Sequence, residues 1–346
     1  MNNLSEITEI VEKYITDNKL NIHKDKIINF LNINNLNIIS INKNHHYNLQ
    51  YNDDFYCYVN NNELNKFICF IIGKLYGTYN FNYILNFNYD NDILTNINNT
   101  LLKDGVYINE QLINNDICNN IIKKINYKNF QSFDGKIIYN MDINEIEPGT
   151  NWIHDQKDVI LIEDVQKIAT DPFILNVAQN YLQSKPILIQ SNLWISKAGS
   201  NDRTNFFHQD YDDIKFLKVF IYLTDTDENN GAHSYVKGSI NNFITDNNYK
   251  PSDRISDDIM KNNYGENVIT ICGKKGTVIF EDTNGFHKGN ILNSGYRIML
   301  QLQYCCSTKF VDNKINFINN LDKDNNKILY DAKLSFPDSF ILYNFN

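Results

Sequence analysis

The residues best suited to chemistry are His208, Asp210 and, much further along the chain, His287, with Arg297 ten positions beyond it. Two imidazoles and one carboxylate make the facial triad that holds non-haem Fe(II) and leaves other coordination positions open. A guanidinium matches a carboxylate through two parallel hydrogen bonds. Arg297 is therefore suited to clamp the far carboxylate of a dicarboxylic co-substrate. Together the four residues point to an oxygenase chemistry using iron and 2-oxoglutarate.

Taken singly, each of these residues has a plainer reading. The pattern His208-Gln209-Asp210 is short enough to arise by chance, and His287 alone could be structural. In an extended strand, residues two apart share a face about 7 Å apart. His208 and Asp210 could then reach one ion while Gln209 points away, and the third ligand must come from a distant strand. His287 follows the strand Thr277 to Glu281 and the loop Asp282-Thr283-Asn284-Gly285-Phe286. His154 and His233 compete for the role. The turn Gly231-Ala232-His233 suggests a structural or supporting part for His233.

Arg297 belongs to a segment of clear alternation, with Ile298, Leu300 and Leu302 on one face and Arg297, Met299, Gln301 and Gln303 on the other. A buried guanidinium needs an anionic partner. An internal salt bridge and a bound dicarboxylate both meet that need.

Positioning such groups falls to the strand-rich second half. Ile187 to Ser196, Leu217 to Leu223, Val268 to Ile271, Thr277 to Glu281 and Tyr296 to Tyr304 are short, β-rich and separated by Gly, Asn and Asp clusters. Many short strands behind a helical lead-in predict a mainly β fold with flanking helices, a double-sheet jelly roll of cupin type. The lead-in includes a helix near 115–125 capped by Asn114, and helices over 163–170 and 172–183, the last opened by Pro172.

Three regions are expected: 1–95, a small α/β part of unassigned role; 96–310, the jelly roll; and 311–346, an extension whose apolar tail Phe340-Ile341-Leu342-Tyr343 packs on the core. Within the first, helices are expected at 5–18, 24–32 and 62–75, and strands at 36–41 and 46–58. His45-His46 reads there as a pair of exposed loop histidines.

Composition sets outer limits. A 346-residue chain with 42% hydrophobic residues, 5 Pro and 14 Gly can bury a sizeable core and has no long linker. Asn-rich runs such as Asn32-Ile33-Asn34-Asn35 and Asn60-Asn61-Asn62 interleave with Ile, Phe and Tyr, as a compositional bias laid over ordinary structure would. A net charge of −9 argues against nucleic acid as the main partner. Glu6, Glu9 and Glu12 stand where a secretory signal would be apolar, and no run is long enough to span a bilayer. Six Cys without C-x-x-C spacing read as reduced thiols. The expectation is an intracellular, cytoplasmic protein acting on a small molecule, with neither nucleic acid nor membrane as partner.

The motifs resemble those of the phytanoyl-CoA dioxygenase family of Fe(II)/2-oxoglutarate oxygenases, which includes ectoine hydroxylase-like members. The resemblance runs from about Leu101 to Thr308 and is strongest from Pro186. His208-Gln209-Asp210 matches the family's His-x-Asp, His287 its distal histidine, and Arg297 its 2-oxoglutarate arginine. Phe220 to Gly231 resembles "yLtDvdeenG", and Tyr235-Val236-Lys237-Gly238-Ser239-Ile240 resembles "vPGSH" with Lys237 for the proline and Ile240 for the histidine. Gly276-Thr277-Val278 with Asp282 and His287 resembles "GtvvfhdgrllHgs". Gly289 stands where some members carry a serine that helps hold 2-oxoglutarate.

The resemblance implies a double-stranded β-helix binding Fe(II), 2-oxoglutarate and O2, and a hydroxylation that releases succinate and CO2. Related halogenases lack the carboxylate, so Asp210 implies hydroxylation. Gln190 resembles a glutamine that contacts co-substrate or substrate. Asn192, Trp194, Tyr222 and Gln301 are candidate substrate contacts, Trp194 being equally a core anchor. Asp212 and Asp213 could receive a polar or cationic group or lie in a solvated loop. A non-catalytic jelly-roll binding protein is the competing class, and a cupin of other metal chemistry, such as an isomerase, would not need Arg297.

Overall fold

The computed structural model describes residues 77–81, 91–132, 134–199, 205–241, 253–306 and 317–346, together with 66, 69, 70, 72 and 73. The helices expected at 5–18 and 24–32, the strands expected at 36–41 and 46–58, and His45-His46 lie outside these residues. Of the helix expected at 62–75, residues 66, 69, 70, 72 and 73 are described and are helical.

Thirteen strands run in chain order among the described residues. They are β1 (Val106–Asn109), β2 (Lys128–Ser132), β3 (Ile137–Met141), β4 (Gly149–Ile153), β5 (Ile187–Lys197), β6 (Phe216–Tyr222), β7 (His233–Val236), β8 (Val268–Ile271), β9 (Val278–Glu281), β10 (His287–Gly289), β11 (Tyr296–Cys305), β12 (Ile318–Leu321) and β13 (Tyr343–Phe345). The large sheet has the order β1-β9-β6-β11-β5-β4-β2-β3, the small one β10-β7-β8. An isolated bridge between His208 and His287 adds the segment at 207–208 to the edge of the small sheet.

From β5 onward the chain therefore passes back and forth between the sheets, except that β7 and β8 follow each other in the small one. β5, β6, β9 and β11 lie adjacent in the large sheet, and the 207–208 segment, β7, β8 and β10 form the small one. This alternation is the winding of a jelly roll, and the fold is mainly β with flanking helices.

Period-two patterning decides which side of the large sheet is filled. Val219 and Ile221 of β6, Val278 and Phe280 of β9, and Ile298, Leu300 and Leu302 of β11 join the main apolar cluster on the outer face. The helix Pro172–Leu182 covers that face, and Phe173 meets Phe280 edge-on at 6.4 Å. Burying each such side chain contributes about 1.5–3 kcal/mol relative to leaving it exposed. The alternate positions, Lys218 and Phe220 of β6 and Arg297, Met299 and Gln301 of β11, look toward the small sheet and line a cavity of about 360 Å³.

Local signals account for the helical lead-in. Asn114 accepts from the Asp116 amide at 2.8 Å and caps Asn115–Ile125. Asp171 accepts from the Phe173 amide at 2.8 Å, with Pro172 at the first turn of the next helix.

Several expectations need correction. The boundary drawn after residue 95 falls inside the helix Asn91–Asp104, which feeds directly into β1 of the large sheet. His208 and Asp210 do not lie on a continuous strand, since only Phe207 and His208 make bridges and Asp210 sits in irregular chain. His233 is the first residue of β7, not part of the turn. Strands β2, β3 and β4, whose polar faces give weak alternation, were not expected. Phe340, Leu342 and Tyr343 are buried in the main cluster. No helix among the described residues is long and apolar enough to cross a membrane.

Candidate metal centre

Two backbone hydrogen bonds bring the distant histidines together. The His208 amide donates to the His287 carbonyl at 3.0 Å, and the His287 amide returns the bond to the His208 carbonyl at 3.0 Å. The rings face each other with centroids 4.3 Å apart. Asp210 is held by its amide, which donates to the Thr283 carbonyl at 2.8 Å, while Gln209 turns away to bond the Asn284 carbonyl at 2.6 Å. His208, Asp210 and His287 thus offer ligand atoms that all lie within 4.8 Å of one another.

The tautomers are set from behind. His208 Nδ1 lies 2.9 Å from the Phe206 carbonyl, and His287 Nδ1 lies 3.0 Å from the Gly285 carbonyl. A carbonyl can only accept, so each Nδ1 carries a proton and each Nε2 is left facing Asp210. Asp210 Oδ2 is 3.3 Å from His287 Nε2, and Oδ1 is 3.9 Å from His208 Nε2. Burial, then the charge of His287, push the pKa of His208 down to about 3, so it is neutral at ordinary pH. Burial also opposes charge on His287, but Asp210 outweighs it and raises that imidazole above its usual value. Asp210 stays far below the carboxylate range because Lys218 and the two histidines outweigh its desolvation. Two neutral-capable nitrogens and a firmly ionised oxygen suit a divalent transition metal.

Across the cavity, Arg297 is buried and has no carboxylate partner among the described residues. Its Nη1 donates to the Gly231 carbonyl, its Nη2 lies 3.4 Å from Ser196 Oγ, and its Nε has no hydrogen-bond partner. Burial lowers its pKa. The internal salt bridge allowed by the sequence is therefore absent among the described residues, and the guanidinium faces the same cavity as the three ligands. Beside it, Ser196 Oγ and Thr150 Oγ1 are 3.1 Å apart, and Thr150 also lines the cavity.

Gln190, Asn192, Trp194 and Gln301 all line this cavity. Trp194 Nε1 donates to Gln301 Oε1 at 3.0 Å, and Gln301 Nε2 donates to Gln190 Oε1 at 3.2 Å. Tyr222 does not line it. That ring is fully buried, its hydroxyl donates to the Ile271 carbonyl at 2.8 Å and accepts from the His233 amide at 2.9 Å. Asp213 is buried against its own turn and Cys306 Sγ, whereas Asp212 reaches the cavity wall. His154 pairs with Gln131 and does not line the cavity.

Lys218, Thr150 and Arg254 at the cavity were not assigned a part from the sequence, and His233 was given only a structural or supporting one. Lys218 lies 2.6 Å from Asp210 Oδ2 and 2.9 Å from Asp212 Oδ2. Its signal was a lone charge inside the apolar strand Phe216-Leu217-Lys218-Val219-Phe220. His233, weighed as a support, donates from Nε2 to fully buried Glu281 at 2.9 Å, and its ring stands 5.8 Å from that of His287. Thr150 and Arg254 complete the wall; no motif surrounds either.

No protein-family model matches the chain. Ectoine dioxygenase of Bordetella bronchiseptica is 26% identical over 167 residues, covering 42% of this chain and 54% of the relative. The ectoine dioxygenase of Bordetella parapertussis matches to the same extent. The chain spans about half the length of these curated relatives. Among solved structures, EctD from S. alaskensis with bound Fe is 16% identical, covering 64% of this chain and 80% of that one at a TM-score of 0.44. The epimerase SnoN, in complex with Fe3+, alpha ketoglutarate and nogalamycin RO, is 12% identical, covering 62% and 84% at a TM-score of 0.44. At such scores the fold assignment rests on the strand order described above.

Proposed function

We propose that this protein is an Fe(II)- and 2-oxoglutarate-dependent dioxygenase that hydroxylates a small-molecule substrate and releases succinate and CO2. One observation carries the reading: a His-Asp-His ligand set and a buried guanidinium lacking any described carboxylate partner share one cavity. A lone buried charge of this kind calls for an anionic ligand. The likeness to ectoine dioxygenases over 167 residues supports the same class.

His208, Asp210 and His287 would hold the iron, with Phe206 and Gly285 fixing the two imidazoles through their carbonyls. Arg297 would grip the far carboxylate of 2-oxoglutarate, with the Ser196 and Thr150 hydroxyls at its side. Gln190, oriented by Gln301 and Trp194, would meet co-substrate or substrate, and Asn192 and Trp194 would line the substrate space. Phe220 and Met299 would add apolar surface to an otherwise polar wall. When bound, iron and 2-oxoglutarate supply the oxidising power, which belongs to the metal rather than to any side chain. Asp210 fills the position that a halide would need, so hydroxylation is the reading over halogenation. We place the reaction inside the cell, in keeping with the free thiols of Cys69 and Cys306, whose sulfurs lie 3.8 Å apart.

The test is succinate formation from 2-oxoglutarate with Fe(II), first without substrate and then against a metabolite panel that includes ectoine. Wild type should turn over slowly alone and faster with its substrate. His208→Ala and Asp210→Ala should abolish both rates. Turnover that survives both substitutions would overturn the assignment, and a wild type that never forms succinate would favour a non-catalytic binding protein.

A further inference from the structure

We propose that Lys218 keeps the metal centre open by sequestering carboxylate oxygens that would otherwise fill it. The inference rests on the reading of the site as an iron and 2-oxoglutarate centre. That chemistry needs positions left vacant by the protein, yet the cavity wall carries two aspartates, Asp210 and Asp212, only two residues apart. Each carboxylate offers two oxygens, and a hard dication favours anionic oxygen ligands up to its coordination number. With Oδ2 free, Asp210 could bind through both oxygens. Asp212 could add another.

The geometry around Lys218 prevents both. Its ammonium group stands 2.6 Å from Asp210 Oδ2 and 2.9 Å from Asp212 Oδ2, so one cation occupies one oxygen of each. The lysine is fixed because β6 is paired on both edges, with Lys218 opposite Gln303 of β11 and Glu281 of β9. Gln303 reinforces the arrangement by donating to Asp212 Oδ2 at 3.0 Å. The Lys218 side chain is 8% exposed, in a strand otherwise wholly apolar. An ammonium group is a poor choice for such a position unless its charge is used. Here it leaves Asp210 a single oxygen to offer and holds Asp212 off the metal.

A residue that merely braces a ligand behaves differently from one that blocks surplus ligands. Losing a brace lowers metal affinity about 10–100-fold. Losing Lys218 should raise it, since surplus anionic oxygens are released and a nearby cation is removed. The co-substrate should then bind less well, because its positions are taken. The two affinities move in opposite directions, which loss of structure alone would not produce.

The experiment titrates Mn(II), then 2-oxoglutarate, into the full chain by calorimetry without oxygen, with Co(II) absorption reporting coordination number. Lys218→Met should bind Mn(II) about tenfold more tightly and 2-oxoglutarate about tenfold more weakly than wild type. Lys218→Arg, which keeps a cation beside both aspartates, should match wild type. Should the methionine variant fail to fold, Lys218→Gln is read on the same scale, as its amide neutralises neither carboxylate. Metal affinity that falls or stays constant, or 2-oxoglutarate binding that is unchanged, overturns the role given to Lys218. A wild type that binds neither probe overturns the metal-centre reading as well, so the two failures are distinguishable.

Discussion

Arg297 lies against Gly289 so closely that a Cβ at position 289 would stand 3.4 Å from Nη2 and 3.7 Å from Nη1. These are ordinary contact distances, so Gly289→Ser should be accommodated. Its hydroxyl would then join those of Thr150 and Ser196 at the carboxylate-binding end. We expect Gly289→Ser to hold 2-oxoglutarate at least as tightly as wild type. Gly289→Val, whose branches must displace the guanidinium, should weaken binding about tenfold. Calorimetry with 2-oxoglutarate reads both; equal affinities in the two variants would place the co-substrate elsewhere.

The same guanidinium predicts an opposition between stability and binding. A buried charge with no counter-ion among the described residues opposes folding, and apolar replacement of buried ionic groups has stabilised proteins by about 1–4 kcal/mol. Arg297→Met should therefore raise Tm when no 2-oxoglutarate is present. It should also abolish the further rise in Tm that 2-oxoglutarate gives wild type. Thermal scans with and without the co-substrate decide it. A lowered Tm in the variant would mean that the bonds to Gly231 and Ser196 matter more than the buried charge.

A purely structural site makes a useful contrast. Gly276 turns the chain into β9 with φ of 89°, and a Cβ there would come 2.0 Å from the Ile113 carbonyl oxygen. Both the left-handed backbone and the overlap oppose any side chain. Gly276→Ala should destabilise the fold by about 3 kcal/mol, while folded molecules retain wild-type Mn(II) affinity. Urea unfolding and metal titration on one preparation check the pair. An unchanged unfolding midpoint would contradict the close approach.

What could be read from the chain beforehand follows from how local each signal is. Asn114 and Pro172 announced their helices because a cap and a first-turn proline both act within a turn of the helix start. Strand β11 was legible from its alternation, which separated Arg297 and Gln301 from Ile298 and Leu300. His208, Asp210 and His287 were legible as a set through residue type and the resemblance of their motifs, each alone having a plainer reading. Their convergence was not local: it depends on reciprocal bonds across a two-residue bridge too short to give a strand pattern. Lys218 was passed over in its apolar strand because its two partners come from the irregular chain after His208. Thr150 was invisible for a related reason. Strand β4 opens on Gly149 after Pro148 and mixes Thr150 and Asn151 with apolar residues, so neither its strand nor its approach to Ser196 could be foreseen. Tyr222 shares its face of β6 with Lys218 and Phe220, but lies beyond the cavity's end, where its hydroxyl ties β6 to the small sheet.

The relay from Trp194 to Gln190 gives the last prediction, and its direction follows from one group. An indole N–H can only donate. Gln301 must therefore present its oxygen to Trp194, which turns its NH2 toward Gln190 and makes the Gln190 oxygen the acceptor. The Gln190 NH2 is then what this side chain has left to offer the cavity, and a donor there suits a carboxylate or carbonyl oxygen. Trp194→Phe keeps a ring against Trp152, now 5.5 Å away between centroids, but removes the donor that sets the relay. Gln301 is then free to flip, and 2-oxoglutarate affinity should fall about fivefold, as expected for loss of roughly 1 kcal/mol of hydrogen-bond energy. Gln190→Glu should cost more, since it sets a carboxylate against an anionic ligand, whereas Gln190→Leu should resemble Trp194→Phe. Affinities that do not change in any of the three variants would show that this amide serves the packing of β5 against β11 and not the bound co-substrate.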